Sequence, residues 1–312
     1  MKAARVRRFG PPEVIELEDI ETPQPEADQV LVQVHAAGVG PWDAWIRSGK
    51  SVISQPLPLT LGADLSGIVE AVGARVTGFA PGDEVFGVSS PRFTGAYAEH
   101  VAAPASMLAR KPRGLSHIDA ASAPVVAVTA LQMLFEHARV ARGERVLVLG
   151  AAGSVGAYAV QLARDAGVHV IGTVRGDQDT AYVQRLGANE VVDVAAVRIE
   201  DAVTSVDVVI DLVGGDPANQ AMALLARGGR LVSAVSQPDQ ERTTRHGVTA
   251  TFILVDVRTE SLIRIAALFD AQRLATNVGA LLPLADARIA HEMLEGRRPR
   301  PHGKTVLTVR SE

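Results

Sequence analysis

Residues 146–163 read VLVLGAAGSVGAYAVQLA, with glycines at positions 150, 153 and 156. The apolar run before Gly150 is typical of a buried strand, and the apolar residues after Ser154 recur with helical spacing. The chain on both sides continues this alternation, with helices at 179–186 and 218–225 and strands at 168–174, 190–193, 206–212, 230–235 and 249–255. Short apolar strands separated by helices predict a doubly wound parallel sheet.

The segments outside this alternation have a different pattern. The first 115 residues contain short strands at 30–35, 67–73 and 84–87, separated by Gly and Pro turns, which favours a small barrel or sandwich. The C-terminal segment has helices near 261–270 and 286–294, and its alternating strand at 304–309 is expected to rejoin the first domain. We therefore predict one domain from residues 1–115 and 256–312, with a second, 116–255, inserted into it.

Composition excludes several classes of protein. The chain has 312 residues and a formal net charge of −4. It has no Cys, and this absence excludes disulfides, Cys-bound metals and a thiol nucleophile. Its charge disfavours nucleic acid or a membrane surface as the main partner. The N-terminus lacks the apolar segment of a signal peptide, and no run approaches the roughly 18 apolar residues of a membrane helix. We expect a cytoplasmic protein.

The glycine spacing G-x-x-G-x-x-G has a chemical interpretation. In a dinucleotide-binding turn the first glycine permits the tight bend, the second admits the pyrophosphate, and the third lets helix and strand pack closely. The helix N-terminus then offers free N–H groups to the phosphates. The alternative is an ordinary strand–turn–helix with structural glycines. The predicted cofactor contacts in this loop are Gly150, Ala152, Gly153, Ser154, Val155 and Gly156.

The end of the following strand indicates which nicotinamide cofactor binds. An NAD site usually has Asp or Glu there for the ribose hydroxyls, but here the strand ends in Thr173-Val-Arg175. A guanidinium can pair with a 2′-phosphate, which a carboxylate would repel. Alternatively Arg175 is a solvated loop cation, and Asp177 and Asp179 nearby dilute its field. We predict NADPH in preference to NADH.

Several further motifs occur in order along the chain: GVGPWD at 38–43, LGADLSG at 61–67, PGDEV at 81–85, GAYAE at 95–99 and Gly303-Lys304. Together with the glycine loop, they make the chain resemble the zinc-free, zeta-crystallin-like quinone oxidoreductase branch of the medium-chain dehydrogenase/reductase superfamily. This resemblance implies an α/β fold, in which a Rossmann doubly wound parallel sheet is inserted into a GroES-like β-barrel catalytic domain. It also implies a homodimer, which we place at the edge strand 249–255.

The resemblance also bears on zinc. Zinc-dependent relatives hold the metal with a Cys and a later Gly-His-Glu motif, whose positions read Gly40 and Gly62-Ala63-Asp64 here. We therefore predict no metal site. Quinone-branch relatives often have Asn at the position of Gly40 and Tyr at that of Trp45, and they bind the adenosine phosphate with a Lys and a Tyr. Those last two positions read Asp179 and Val194, so Arg175 would have to replace them.

The resemblance places Thr129 near the nicotinamide, although a helical Thr can equally bond back to a carbonyl. We expect the remaining cofactor contacts at strand ends: Thr173, Arg175, Val213, Ser236 and Leu254. Trp42, Trp45 and Phe252 are the candidate substrate wall, with core packing as the alternative. No catalytic acid is identified, and Asp43 and Thr129 are only weak candidates. An Asp at position 43 more often caps a turn, and Arg47 one helical turn later would pair with it.

These observations predict hydride transfer from NADPH to a quinone, which accepts hydride without a Lewis acid. An enone or 2-alkenal double bond would use the same cofactor and pocket. A third hypothesis is a non-catalytic NADPH-binding protein with a regulatory or structural role. The sequence leaves open the physiological substrate, the proton donor and whether electrons move singly or in pairs.

Overall fold

The computed structural model describes residues 1–53 and 55–310. It divides into two compact units: a split unit, Met1–Val125 with Val257–Glu312, and an inserted unit, Val126–Asp256. The first boundary thus follows Val125, whereas the sequence pattern had placed it after residue 115. The backbone N–H of Val125 donates to Asp64 Oδ1 at 2.9 Å, which ties this segment to the strands of the split unit. Within the described ranges, no helix is long and apolar enough to span a membrane.

The N-terminal part of the split unit is mainly β. Its elements are β1 (Lys2–Val6), β2 (Glu16–Asp19), β3 (Gln29–Val39), α1 (Pro41–Ser48), β4 (Leu59–Thr60), β5 (Asp64–Val72), β6 (Glu84–Val88), β7 (His100–Pro104), β8 (Leu108–Arg110) and α2 (His117–Ala121).

The middle of the chain alternates strands and helices. Its elements are α3 (Pro124–Leu131), a π-helical turn (Gln132–His137), β9 (Arg145–Leu149), α4 (Ser154–Asp165), β10 (His169–Val174), α5 (Asp177–Leu186), β11 (Glu190–Asp193), α6 (Ile199–Ala202), β12 (Val206–Asp211), α7 (Gly215–Met222), β13 (Leu225–Ser233), α8 (Gln240–His246) and β14 (Thr249–Phe252). The C-terminal segment adds α9 (Thr259–Asp270), β15 (Val278–Pro283), α10 (Ala287–Leu294) and β16 (Lys304–Thr308).

The inserted unit is built on a six-stranded sheet in the order β11-β10-β9-β12-β13-β14, with every pairing parallel. This is the doubly wound order, in which the chain direction across the sheet reverses next to β9. Apolar side chains that fill one side of the sheet include Leu147, Ile171, Val209 and Leu231. The expected Rossmann sheet is therefore confirmed.

Two boundaries in this unit differ from the sequence pattern. The helix expected at 218–225 runs from Gly215 to Met222, because Gly214 and Gly215 both adopt positive φ and turn the chain into the helix early. Leu225 already pairs with Val206, so β13 begins there and runs through the two glycines that were expected to close the helix. The last strand, β14, ends at Phe252 rather than continuing to residue 255.

The C-terminal strand β16 returns to the split unit, as its alternating pattern indicated. It pairs antiparallel with β3, where Leu307 lies opposite Ala37, and parallel with β15, a strand that the pattern did not reveal. The larger sheet has the order β15-β16-β3-β5-β6-β8, with β7 also on β3, and a smaller one has the order β2-β1-β4. Val34, Leu65 and Leu307 lie in the apolar core of this unit.

Candidate functional site

The glycine loop follows β9 and leads directly into α4. Gly150 adopts φ +74°, a left-handed conformation that a side chain would strain. A Cβ on Gly156 would lie 2.2 Å from the Gly150 carbonyl oxygen, so only glycine fits at this closest approach. These two glycines therefore shape the turn.

The middle glycine of the loop leaves the start of α4 open. Gly153 is the N-cap of the helix and provides no side-chain cap. A Cβ at this position would meet only the Gly150 oxygen, at 3.3 Å. The first N–H groups of a helix have no acceptor within it, and they carry the positive end of the helix dipole. The arrangement can bind a phosphate group against Ser154 and Val155.

Thr173 links the end of β10 to the glycine loop. Its hydroxyl oxygen accepts from the Gly150 N–H at 3.1 Å, and its carbonyl accepts from the Ala151 N–H at 3.0 Å. The structure thus gives Thr173 a role in holding the turn, although the sequence had proposed it only as a cofactor contact.

A second pair of side chains organises the ends of β12 and β13, and sequence reasoning missed both. Asp211 Oδ1 accepts from the N–H groups of Val213 and Gly214, at 3.0 and 2.8 Å. Ser233 Oγ donates to Asp211 Oδ2 at 2.7 Å and accepts from Ser236 N at 3.3 Å. A carboxylate at the carboxyl end of a mostly apolar strand was the available signal. This pair fixes the loops that carry Val213 and Ser236.

Most of the expected cofactor residues lie at this carboxyl edge of the parallel sheet. Arg175 directly follows β10, is exposed and forms no ion pair with any described residue. Phe252 ends β14 and is half-buried, while Leu254 beyond it is 65% exposed. Thr129 is buried within α3 of the inserted unit.

The candidate substrate residues Trp42 and Trp45 lie on α1 in the split unit, in different surroundings. The Trp42 ring packs edge-on against Phe93, with centroids 6.4 Å apart, and the Lys304 ammonium lies 4.4 Å from its ring centroid. A Cβ on Gly40 would come within 2.2 Å of the Trp42 indole, so this indole requires the glycine there. Trp45, in contrast, is 53% exposed.

Asp43, which lies between Trp42 and Trp45 in the sequence, is fully buried. Its Oδ2 accepts from the Gly40 N–H at 2.8 Å and from the Tyr97 hydroxyl at 3.0 Å. Burial raises the pKa of Asp43 to about 7, against the lowering effect of these hydrogen bonds and of the Lys304 charge. The expected pairing of Arg47 with Asp43 is wrong: Asp43 turns toward the helix start to cap it, and Arg47 pairs with Glu295 of the C-terminal segment.

A buried ion pair lies nearby. Lys304 Nζ donates to Asp64 Oδ2 at 3.0 Å, and Asp64 Oδ1 accepts from the Val125 N–H. Burial raises the pKa of Asp64, and the Lys304 ammonium opposes that shift. Asp64 stands where zinc-dependent relatives have the Glu of their motif, but its oxygens are engaged by a cation and an amide. Gly40 and Ala63 offer no side-chain ligand atom for a metal.

Comparison with known proteins extends over both units. A family model described as "Zinc-binding dehydrogenase" matches residues 186–307, and one described as "Alcohol dehydrogenase GroES-like domain" matches residues 26–113. Quinone oxidoreductase from Sus scrofa is 35% identical over 308 residues, covering 94% of this chain and 93% of the relative.

Solved structures agree with these sequence matches. The quinone oxidoreductase from Coxiella burnetii superposes with a TM-score of 0.92 at 35% identity, covering 99% of each chain. Escherichia coli quinone oxidoreductase complexed with NADPH gives a TM-score of 0.89 at 27% identity, covering 99% of this chain and 100% of that one. The expected GroES-like and Rossmann architecture is therefore confirmed. This chain is an oxidoreductase that belongs to the medium-chain dehydrogenase/reductase superfamily, in its zeta-crystallin-like quinone oxidoreductase branch.

Proposed function

We propose that this enzyme is a zinc-independent oxidoreductase that binds NADPH and transfers hydride to a quinone. The observation that carries the proposal is the carboxyl edge of the inserted sheet. There an uncapped helix start lies in the same unit as an exposed arginine, Arg175, which has no ion-pair partner among the described residues. A pyrophosphate suits the helix start, and a 2′-phosphate suits the arginine.

The cofactor would be held mainly by backbone groups. The free N–H groups at Ser154 and Val155 would bind the pyrophosphate, and the loops fixed by Asp211 and Ser233 would lie along the dinucleotide. Bound NADPH supplies the hydride. The remaining proposed contacts are Gly150, Ala152, Gly153, Gly156, Thr129, Thr173, Val213, Ser236 and Leu254.

Arg175 supports NADPH over NADH. Its guanidinium is exposed at the end of β10 and has no carboxylate partner among the described residues, so it is available to a phosphate. A charge-assisted hydrogen bond of this kind contributes about 1.5–3 kcal/mol. NADH lacks the 2′-phosphate, so its binding would gain nothing from Arg175.

We propose that the acceptor is planar and binds against aromatic side chains. Trp42 and Trp45 on α1, together with Phe252, are the residues we assign to it. Their π faces suit a quinone, and orientation alone can contribute roughly 7–11 kcal/mol to a transfer between held reactants. Reduction of an enone or 2-alkenal uses the same transfer, and the ranking of acceptors decides between them.

Zinc independence rests on the chemistry of the positions that hold zinc in relatives. The chain has no Cys. Lys304 places a positive charge 3.0 Å from Asp64 Oδ2 and would repel a metal cation there. A quinone or enone is already electrophilic, so the reaction does not require a Lewis acid.

We further propose that the enzyme is a homodimer, formed through residues 249–255. Strand β14 stands at one end of the six-stranded order, and an unpaired edge strand is an association hazard unless it is covered. Pairing with the same strand of a second copy, about a two-fold axis, would cover it. A monomer at micromolar concentration in light scattering would rule this out.

The activity is tested by following oxidation of NADPH and NADH with 1,4-benzoquinone, 9,10-phenanthrenequinone and an acyclic enone, with and without EDTA. We expect NADPH-preferring turnover, unchanged by EDTA and fastest with a quinone. Faster turnover of the enone would assign the enzyme to double-bond reduction. NADPH binding without oxidation by any acceptor would instead favour a regulatory or structural role, and loss of activity in EDTA would overturn zinc independence.

A further inference from the structure

Helix α1 and helix α10 share a group of buried polar atoms that have no partner among the described residues. They are Asp43 Oδ1, both ring nitrogens of His291, and Nε and Nη1 of Arg47. All three side chains are at most 1% exposed. A buried polar atom without a partner is costly, and in folded proteins such atoms are generally satisfied by protein groups or by ordered water.

Tyr97 connects two of these side chains, Asp43 and His291. Its hydroxyl donates to Asp43 Oδ2 at 3.0 Å, and its ring meets the His291 ring edge-on, with centroids 6.1 Å apart. Arg47 follows Asp43 by one turn of α1, and its charge adds to burial in lowering the pKa of His291 to about 3. Asp43 and His291 therefore both contact Tyr97, and Arg47 lies within electrostatic reach of His291.

The charges of this group favour a neutral ligand. Arg47 is already paired with Glu295, and the lowered pKa keeps His291 neutral, so no uncompensated positive charge is available to an anion. A metal cation would meet the Arg47 guanidinium. The free atoms instead combine N–H donors on Arg47, one donor and one acceptor nitrogen on neutral His291, and Asp43 Oδ1, which accepts when ionised and donates when protonated. Water is the small molecule that both accepts and donates in this way.

We propose that Asp43, Arg47 and His291 enclose a buried water-binding site, and that the bound water holds helix α1 against helix α10. A water that accepts from an Arg47 N–H can donate to Asp43 Oδ1 or to the acceptor nitrogen of His291. This places a second hydrogen-bonded link on α1, in addition to the cap that Asp43 forms with the Gly40 N–H. The helix that carries Trp42 and Trp45 is thereby positioned from its buried face.

The first test is a high-resolution crystal structure of the unmodified protein. It should show water within hydrogen-bond distance of at least two of the three side chains. If these side chains instead contact one another directly, with no density between them, the proposal is wrong.

The second test compares His291→Phe with His291→Asn by amide hydrogen exchange. His291→Phe keeps an aromatic ring against Tyr97 but removes both nitrogens, so exchange in α1 should rise roughly tenfold, the effect of losing one hydrogen-bonded link. His291→Asn keeps a donor and an acceptor and should restore most of the protection. Amides of β9 and β12 in the inserted unit serve as the internal control.

If amide exchange in α1 were unchanged in His291→Phe, or rose equally in both variants, the His291 nitrogens would not hold a water that stabilises α1. Should His291→Phe fail to fold, His291→Asn and the crystal structure still decide. Neither measurement uses a cofactor or an acceptor, so this inference stands or fails separately from the proposed function.

Discussion

At the carboxyl edge of the parallel sheet the candidate binding groups are backbone amides and exposed side chains, whereas around helix α1 the polar groups are buried charges. The edge depends on glycines that keep side chains away, such as Gly153 and Gly156. The α1 region depends on long side chains that reach one another, as Lys304 reaches Asp64. Substitutions of exposed groups at the edge should therefore alter ligand binding more than stability, and substitutions around α1 should do the reverse.

The largest effect should follow removal of the buried ammonium. Lys304→Met leaves Asp64 buried without its ion-pair partner, and breaking a buried pair in this way costs about 3–5 kcal/mol. Urea denaturation followed by tryptophan fluorescence reports directly on this unit, because both tryptophans lie on α1.

The double variant Asp64→Asn/Lys304→Met is the matched control, since it removes both charges and should recover much of the loss. If Lys304→Met alone came within about 1 kcal/mol of the unmodified protein, the pair would not be the stabilising contact that its burial indicates.

Asp43 should make stability depend on pH. Its pKa is about 7 in the folded protein and 3.8 in an unperturbed chain, so between these values the folded state keeps a proton that the unfolded state has lost. The Asp43 contribution is therefore present below about pH 4 and is lost as pH rises through 7. At about 1.4 kcal/mol per pKa unit, this amounts to about 4 kcal/mol.

The measurement is the free energy of unfolding of the unmodified protein minus that of Asp43→Asn, across pH 4 to 8, because other titrating groups cancel in the difference. We expect this difference to fall with rising pH. A difference that does not vary with pH would mean that Asp43 is ionised throughout this range.

A pair of glycine variants separates shape from binding in the loop. Gly156→Ala places a Cβ against the Gly150 oxygen, 2.2 Å away, and should cost about 1–3 kcal/mol of stability together with NADPH binding. Gly153→Ala meets only one atom, at 3.3 Å, and should leave stability nearly unchanged while weakening NADPH about tenfold. Thermal unfolding and calorimetric titration check both, and equal NADPH affinity in Gly153→Ala and the unmodified protein would argue against a pyrophosphate at this position.

The same contrast explains what the sequence could reveal. The glycine loop, the strand–helix alternation and the parallel sheet are readable because their signals are local in the chain. The partner of Asp64 is not, since Lys304 lies 240 residues away, and the Tyr97 that bonds Asp43 lies 54 residues from it. The local spacing of Asp43 and Arg47 predicted a pair that does not form, because capping and the C-terminal Glu295 compete for these side chains.

Whether Arg175 directs NADPH-dependent reduction is tested most directly by kcat/KM for NADPH and NADH with 9,10-phenanthrenequinone in EDTA, in the unmodified enzyme and in Arg175→Ala. Arg185→Ala is the matched control, because it removes a different exposed arginine, which lies on α5. We predict that Arg175→Ala lowers kcat/KM for NADPH roughly tenfold and leaves NADH unchanged, because only NADPH has the 2′-phosphate. Equal loss with both cofactors, or no loss with either, would contradict the assignment.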